Sequence, residues 1–353
     1  MDPMEKWQPV VADYLAATDW SAVPALWGRT FTVAPLARGE YNLNYLLTDG
    51  GAPLVFRLNQ GTQIGRDDQI LYEYNALRLL EDSGVTPRPH AVDDTGARDW
   101  FDGRGILIME YLPGTPLDYR RDLTAAARLF ARIHRVPVPE ADNPLIREDA
   151  PLSIIHDECA GLLDTYFKSD LADPEIRRYL RELIAWMDSA RSAERFLLAD
   201  PWPCIVNTEV NANNFIANRA AGTLHLVDWE MPRWGDPTSD LAHFCSPLTT
   251  LWKTDYRMSG DDREHFLKTY ADAVGDAHLR DTLGERMRLR EPFVLLRGIS
   301  WSAYGWVAYQ TDFRGVKNPD TWEVLNRYLD LAFIRSLFDP ILARTPDRFY
   351  VDE

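Results

Sequence analysis

Strand-like patterning is confined to two stretches of this chain, and that segregation limits the fold more than any single motif does. The first stretch opens at Phe31, where FTVAPLARGEYNLNYLLTDGGAPLVFRL reads as strands joined by a turn at Asp49-Gly50-Gly51. A helix over DDQILYEYNALRLLEDSG follows, with Asp67 or Asp68 placed to cap its start and Gly84 to end it. RPHAVDD and GILIMEYL supply further strands, and a helix from Pro9 to Ala17 precedes the whole block. After Pro113-Gly114 the periodicity turns helical, beginning with LTAAARLFARIHRV and filling much of 155–197 and the C-terminal part. One strand-rich island, Cys204 to Trp229, interrupts it. Strands and helices kept apart in this way imply an α+β fold rather than a doubly wound parallel sheet. The expected division is a small β-rich lobe over 1–112, including the 9–17 helix, and a larger mainly helical lobe over 113–353.

A chain of 353 residues can bury two cores of its own. Three cysteines, Cys159, Cys204 and Cys245, are scattered without the paired spacing of a zinc site and fit reduced thiols in a cytoplasmic protein. The start, MDPMEKWQPVVADYL, lacks the basic-then-apolar order of a signal peptide, and no apolar run is long enough to suggest a membrane span. A formal net charge of −16 argues against binding a nucleic-acid backbone or an anionic membrane. It is compatible with a cationic small substrate, although an acidic surface also simply keeps a protein soluble.

The densest chemistry lies in CIVNTEVNANNFIANRAAGTLHLVDWE. Two apolar runs surround a turn at Asn218 to Gly222, and a turn centred on residue 221 sets Asn214 opposite Asp228. An amide oxygen beside a carboxylate suits a hard cation such as Mg²⁺, which takes few protein oxygens and leaves positions for phosphates and water. Taken alone, either residue could merely end a strand. The polar run Asn207 to Asn213 directly before Asn214 makes a ligand-rich loop the better reading. A carboxylate at Glu209, five positions before Asn214, is arranged to orient an attacking hydroxyl while the metal is held nearby.

The N-terminal lobe carries a second signal. Alternation in Leu54-Val55-Phe56-Arg57-Leu58 sets Arg57 on the face opposite Leu54, Phe56 and Leu58. In the next helix Glu73 falls in the row Ile70, Glu73, Leu77, Leu80. A charge inside an apolar stripe calls for a cationic partner.

Taken in order, NTEVNANN, LVDWE and GDPTSDLA (Gly235 to Ala242) resemble the hallmark of the aminoglycoside phosphotransferase and choline kinase superfamily, which has a protein-kinase-like fold. That hallmark reads roughly HGDxxxxN, a hairpin, a run ending in D-W/F-E, then GDPxxDLA. The resemblance runs from about Phe31 to Phe244 and is weakest around 140–200. It implies ATP and Mg²⁺ as cofactors, Asn214 and Asp228 as metal ligands, and Glu209 in the place of the catalytic Asp. Arg57 with Glu73 then matches the kinase pair that touches the α- and β-phosphates. Gly39, with Asn42 and Asn44, occupies the place of the phosphate-covering loop. Glu110 C=O and Leu112 N–H stand where a hinge would bond adenine. Glu230 comes close to the metal or forms a surface ion pair, and Asp236 and Asp240 are structural, with Asp240 reading as a helix cap.

Two positions depart from the pattern: Asn207 stands where His is usual, and Glu209 where Asp is. The extra methylene matters, because a displacement on the order of 1 Å can cost about a hundredfold in rate. The implied function is ATP-dependent phosphorylation of a hydroxyl on a small molecule such as an aminoglycoside-like antibiotic, amino alcohol or sugar. Two alternatives stay open, a nucleotide-binding pseudokinase and transfer of AMP. No GxxxxGK[ST] loop is present, so a P-loop kinase is excluded. Aromatics at 301, 304, 306 and 309 form either a cage for a quaternary ammonium or, more in keeping with helical spacing, a core. Asp157, Glu158 and Asp255 could meet a cationic acceptor or be solvated helix charges.

Overall fold

A computed structural model of the chain describes residues 2–39, 41–139, 141, 143–252, 254–311 and 319–343. In chain order the elements are α1 (Pro3–Ala17), β1 (Thr32–Arg38), β2 (Asn42–Thr48), β3 (Leu54–Asn59), α2 (Gln69–Leu80), β4 (Pro89–Asp93), α3 (Ala97–Trp100) and β5 (Ile106–Glu110). Then come α4 (Tyr119–His134), α5 (Ser153–Lys168), α6 (Pro174–Ala190), α7 (Glu194–Ala199), β6 (Cys204–Val206), β7 (Phe215–Asn218), β8 (Thr223–Leu226) and β9 (Arg233–Gly235). The chain closes with α8 (Thr238–Cys245), α9 (Pro247–Thr250), α10 (Gly260–Val274), α11 (Ala277–Thr311), α12 (Pro319–Tyr328) and α13 (Leu331–Leu342). The α+β class read from the sequence is what the chain adopts.

Two compact units result. The first comprises Met1–Leu117, Arg135–Ile146 and Asn213–Arg233; the second comprises Asp118–His134, Arg147–Ala212 and Trp234–Glu353. The chain thus enters the first unit three times, and the β7–β8 hairpin belongs to it.

The first unit is built on an antiparallel sheet of order β1-β2-β3-β5-β4. One face packs α1, whose Met4, Trp7, Val11 and Tyr14 meet Tyr45, Phe56, Leu58 and Ile108 in one core. Helix α1 starts at Pro3 rather than Pro9: Asp2 accepts a hydrogen bond from Met4 N–H, and Pro3 suits the first turn, where an N–H would be orphaned anyway. Pro9 lies inside the helix instead. Leu54 to Leu58 of β3 are all buried, because α2 covers the other face of the sheet. Asp68 stands at the start of α2 but does not cap it, since its carboxylate is taken by Arg66 at 2.8 and 2.7 Å. Gly84 ends the following turn in the left-handed conformation, at φ 64°.

The hairpin seats on the segment after Pro113. Thr115 and Ala217 exchange both backbone hydrogen bonds, at 3.1 and 2.8 Å, and Leu226 N–H reaches Val85 C=O at 2.8 Å. Gly114 permits this approach, since a Cβ there would fall 2.7 Å from Ile216 Cγ2 and 2.8 Å from Ala217 O.

The second unit is helical around a core drawn from α5 (Cys159, Leu163), α6 (Leu180, Leu183), α11 (Phe293, Leu296, Ile299) and α13 (Ile334, Phe338). No helix among the described residues is long and apolar enough to cross a membrane.

Candidate active site

Strand alternation delivers Arg57 to the α2 side of the sheet, and α2 presents Glu73 to meet it. The guanidinium Nη1 donates to Glu73 Oε1 at 2.5 Å and to Asp228 Oδ1 at 2.9 Å, while Nε donates to Asn44 Oδ1 at 3.0 Å. Arg57 and Glu73 are only 5% and 2% exposed, so neither charge is left to water. Burial works against the Arg57 charge, but Glu73, Asp228 and Glu230 outweigh it and hold the guanidinium protonated. The Glu73 carboxyl is pushed up by the same burial, opposed by Arg57.

Glu230 is not a surface ion pair. It is buried, its Oε2 accepts from Asn42 Nδ2 at 2.7 Å, and a carboxylate oxygen of it lies within 4.8 Å of one on Asp228. Its backbone carbonyl accepts from Gln69 at 2.6 Å, and Tyr72 OH donates to Pro232 C=O at 2.5 Å, so α2 also fixes the segment that carries it. Asn42 and Asn44, placed by the sequence in a phosphate-covering loop, thus have side chains tied into this charged cluster. Gly39 N–H bonds Asn42 C=O at 2.9 Å. Glu110 N–H bonds Arg88 C=O at 2.8 Å; the alternation of β5 turns that residue's backbone away from β3, and Leu112 follows in the segment leading out of the strand.

The hairpin register differs by one residue from the sequence expectation. Asn218 pairs with Thr223 and Phe215 with Leu226, so the turn is centred between 220 and 221, and Asn214 C=O accepts from Val227 N–H at 2.8 Å. Gly222 at φ 68° allows that tighter turn. Asp228 falls one position beyond, in a left-handed conformation at φ 65° that is uncommon outside glycine. The chain breaks from the strand there, with the Asp228 carboxylate bonded to Arg57.

This cluster sets one guanidinium against the carboxylates of Glu73, Asp228 and Glu230. Excess negative charge on hard oxygens fits a divalent cation of the magnesium kind.

The second unit holds the loop after β6. Asn207 is fully buried, and its N–H bonds both Asp240 carboxylate oxygens at 3.0 and 2.9 Å. Thr208 N–H adds a bond to Asp240 Oδ1 at 2.7 Å. Asp240 is the third residue of α8 and does not cap it; its carboxylate anchors the loop instead. Thr208 sits at φ 70°, a strained position for a β-branched residue, and its carbonyl accepts from His243 Nδ1 at 2.8 Å. Burial, then the nearby Arg297 charge, pushes the His243 imidazole down to about 4, so it is neutral at pH 7. Asn207 Oδ1 accepts the Glu209 N–H at 3.0 Å. In place of the usual His, the Asn therefore clamps the backbone of the very residue that would act.

Gln69, Tyr72 and His243, which hold these groups, were not picked out from the sequence, nor was Arg297. His243, three positions after Asp240, shares its helix face, and that spacing was readable. Arg297 on α11 bonds Glu158 of α5 at 2.8 Å, a tertiary pairing with no local signal. Asp157 and Asp255 fit solvated charges, at 71% and 87% side-chain exposure beside Arg191 and Arg120. The 301–309 aromatics do not converge on a cage: Trp301 packs edge-on to Trp252, while Trp306 and Tyr309 both stack on Trp322.

A β-rich unit with a buried strand-cation and helix-Glu pair, and a helical unit carrying a carboxylate loop, define a kinase-like phosphotransferase fold. Residues 32–289 match the family model described as "Phosphotransferase enzyme family", of the aminoglycoside phosphotransferase type, and the chain belongs to that family. A thiamine kinase from Escherichia coli O9:H4 (strain HS) is 24% identical over 67% of this chain and 69% of its own length. Among solved structures, an ethanolamine kinase of Plasmodium vivax superposes with a TM-score of 0.59 at 16% identity, covering 87% of this chain and 83% of that one. A spectinomycin phosphotransferase, solved with ADP and spectinomycin, gives 0.58 at 11% identity over 88% and 92%. The fold and the family make the chain a small-molecule phosphotransferase.

Proposed function

We propose that this chain transfers the γ-phosphoryl group of ATP to a hydroxyl of a small, cationic acceptor, with the cationic alcohol thiamine as the first candidate. The observation that carries the reading is the cluster of buried Arg57, Glu73 and Glu230 with the partly exposed Asp228. Burying one cation among three carboxylates is costly unless the excess charge has a use, and binding Mg·ATP supplies one.

Within this reading Arg57, held by Glu73, binds the α- and β-phosphates. Asn214 and Asp228 hold magnesium, which supplies neutralising charge to the phosphates when bound. Glu209 accepts the proton of the acceptor hydroxyl as its oxygen forms a bond to Pγ and the Pγ–O bond to the leaving ADP breaks. Gly39, Asn42 and Asn44 support the phosphate-covering turn, and Glu110 C=O and Leu112 N–H the adenine. The cationic acceptor is supported by the net charge of −16 and by the similarity to thiamine kinase.

The test is ADP release from Mg·ATP with thiamine, choline, ethanolamine, spectinomycin and a neutral sugar, with the product weighed by mass spectrometry. Acceptor-stimulated ADP release and a product heavier by one phosphoryl group support the reading. A product carrying AMP makes the chain a nucleotidyltransferase. Thermal stabilisation by Mg·ATP with no turnover of any acceptor makes it a nucleotide-binding module.

A further inference from the structure

Strand β2 puts two asparagines on the face that carries Arg57. Its alternation turns Leu43, Tyr45 and Leu47 into the core shared with α1, and sends Asn42 and Asn44 to the opposite side. Directly across on β3, Asn44 pairs with Arg57 and Asn42 with Asn59. Each amide takes hold of one charged group. Asn44 Oδ1 accepts from Arg57 Nε at 3.0 Å, and Asn42 Nδ2 donates to Glu230 Oε2 at 2.7 Å. The second bond joins residues 188 positions apart, with Asn42 4% and Glu230 7% exposed.

The Asn42 amide is itself fixed. Asn59 Nδ2 donates to Asn42 Oδ1 at 3.3 Å and to Gly61 C=O at 2.9 Å. With its oxygen engaged by a donor, Asn42 turns its N–H groups to Glu230, which is what a carboxylate needs. Gln69 does the same for the backbone: Thr62 Oγ1 donates to Gln69 Oε1 at 2.7 Å, and Gln69 Nε2 donates to Glu230 C=O at 2.6 Å. Glu230 is therefore gripped at main chain and side chain by two amides, each oriented from its other end. Both amides are neutral. Such a donor aims a carboxylate without cancelling its charge, whereas an ammonium in its place would do both.

We propose that Asn42 is a positioning residue of the magnesium site: it aims Glu230 beside Asp228 and, being neutral, leaves the carboxylate's charge to attract the cation. This rests on the reading of Asp228 as a magnesium ligand. A carboxylate oxygen of Glu230 lies within 4.8 Å of one on Asp228, close enough for both to act on one ion. Groups that orient the surroundings of a metal typically change its affinity about 10–100-fold when they are removed.

The test measures ADP affinity by calorimetry twice, with magnesium and with EDTA, and takes the ratio as the gain that magnesium supplies. Wild type should show a clear gain, and Asp228→Ala should lose it. Asn42→Ala should cut the gain about tenfold, while affinity in EDTA stays within about threefold of wild type. Asn42→Lys, which restores a donor but adds a positive charge, should cut the gain further and bind ADP in EDTA at least as tightly as wild type. In the Glu230→Gln background, Asn42→Ala should change the gain by less than about twofold. A purely structural Asn42 would instead lower both affinities together, or lower the urea midpoint and leave the gain intact; either result overturns the inference. So does a wild-type gain in Asn42→Lys, or a further loss when Asn42→Ala is added to Glu230→Gln. If the Asn42 variants fail in this way while Asp228→Ala loses the gain, the magnesium reading stands without the role of Asn42. If Asp228→Ala keeps the gain, or wild type has none, the magnesium reading falls and the role of Asn42 falls with it.

Discussion

Thr208 at φ 70° and Asp228 at φ 65° are two of the described residues that hold backbone conformations glycine would adopt more cheaply. Each adjoins or is a group proposed for the chemistry, and each is held by strong bonds, Thr208 by Asp240 and His243 and Asp228 by Arg57. Strain of roughly 1–3 kcal/mol per position persists only where the surroundings over-determine it. Asp240 is the clearest case of such surroundings. Asp240→Ala strips three loop bonds from buried N–H groups and should destabilise the chain by about 3–5 kcal/mol, seen as a lowered urea midpoint. Asp240→Asn, which keeps one acceptor oxygen, should cost less than half of that. Glu73→Ala should cost about 2–4 kcal/mol, towards the lower end because Asp228 still faces Arg57. Its ADP-release assay should show a raised KM for ATP, since the guanidinium loses the partner that fixes it.

At the scale of elements, the β7–β8 hairpin depends on what the Pro-Gly break allows. Gly114→Ala would push a methyl group into Ile216 and the Ala217 carbonyl, and should cost about 1–3 kcal/mol in a urea titration. Ala217 cannot move without breaking both bonds to Thr115, which is why the cost does not relax away. Period-two and helical patterning made most elements legible in the sequence; the apolar stripe around Glu73 called for a cationic partner, and the family resemblance pointed to Arg57. The hairpin register did not, because a four-residue and a five-residue turn differ only in where Gly222 takes its positive φ. The start of α1 was missed for a related reason: Pro9 looks like a first-turn proline until Asp2 and Pro3 are seen to supply a better one. Asp240 was read as a cap because its spacing to α8 fits one, whereas its true partners lie 33 and 32 residues away.

For the whole molecule, protonation of the partly buried His243 imidazole links stability to pH. His243 is held at about 4 in the folded chain against its ordinary 6.5, so the folded state binds fewer protons than the unfolded one between those values. Its stabilising contribution is complete above pH 6.5 and is lost as pH falls towards 4, amounting to roughly 2–3 kcal/mol. Urea midpoints at pH 7 and pH 4.5 should therefore differ more for wild type than for His243→Gln. An equal fall in both would show that His243 is not the group responsible. The net charge of −16 belongs to this scale too, as a field that favours cationic acceptors without naming one. The Arg297–Glu158 bond was not legible in the sequence because it joins helices more than a hundred residues apart. The central claim, that a charged cluster around Asp228 serves magnesium-dependent phosphoryl transfer, is tested most directly by a magnesium titration of ADP release in wild type and Asp228→Ala. The account predicts a saturable dependence on magnesium in wild type and loss of turnover by about a hundredfold or more in the variant. Full turnover by Asp228→Ala across the titration would contradict it.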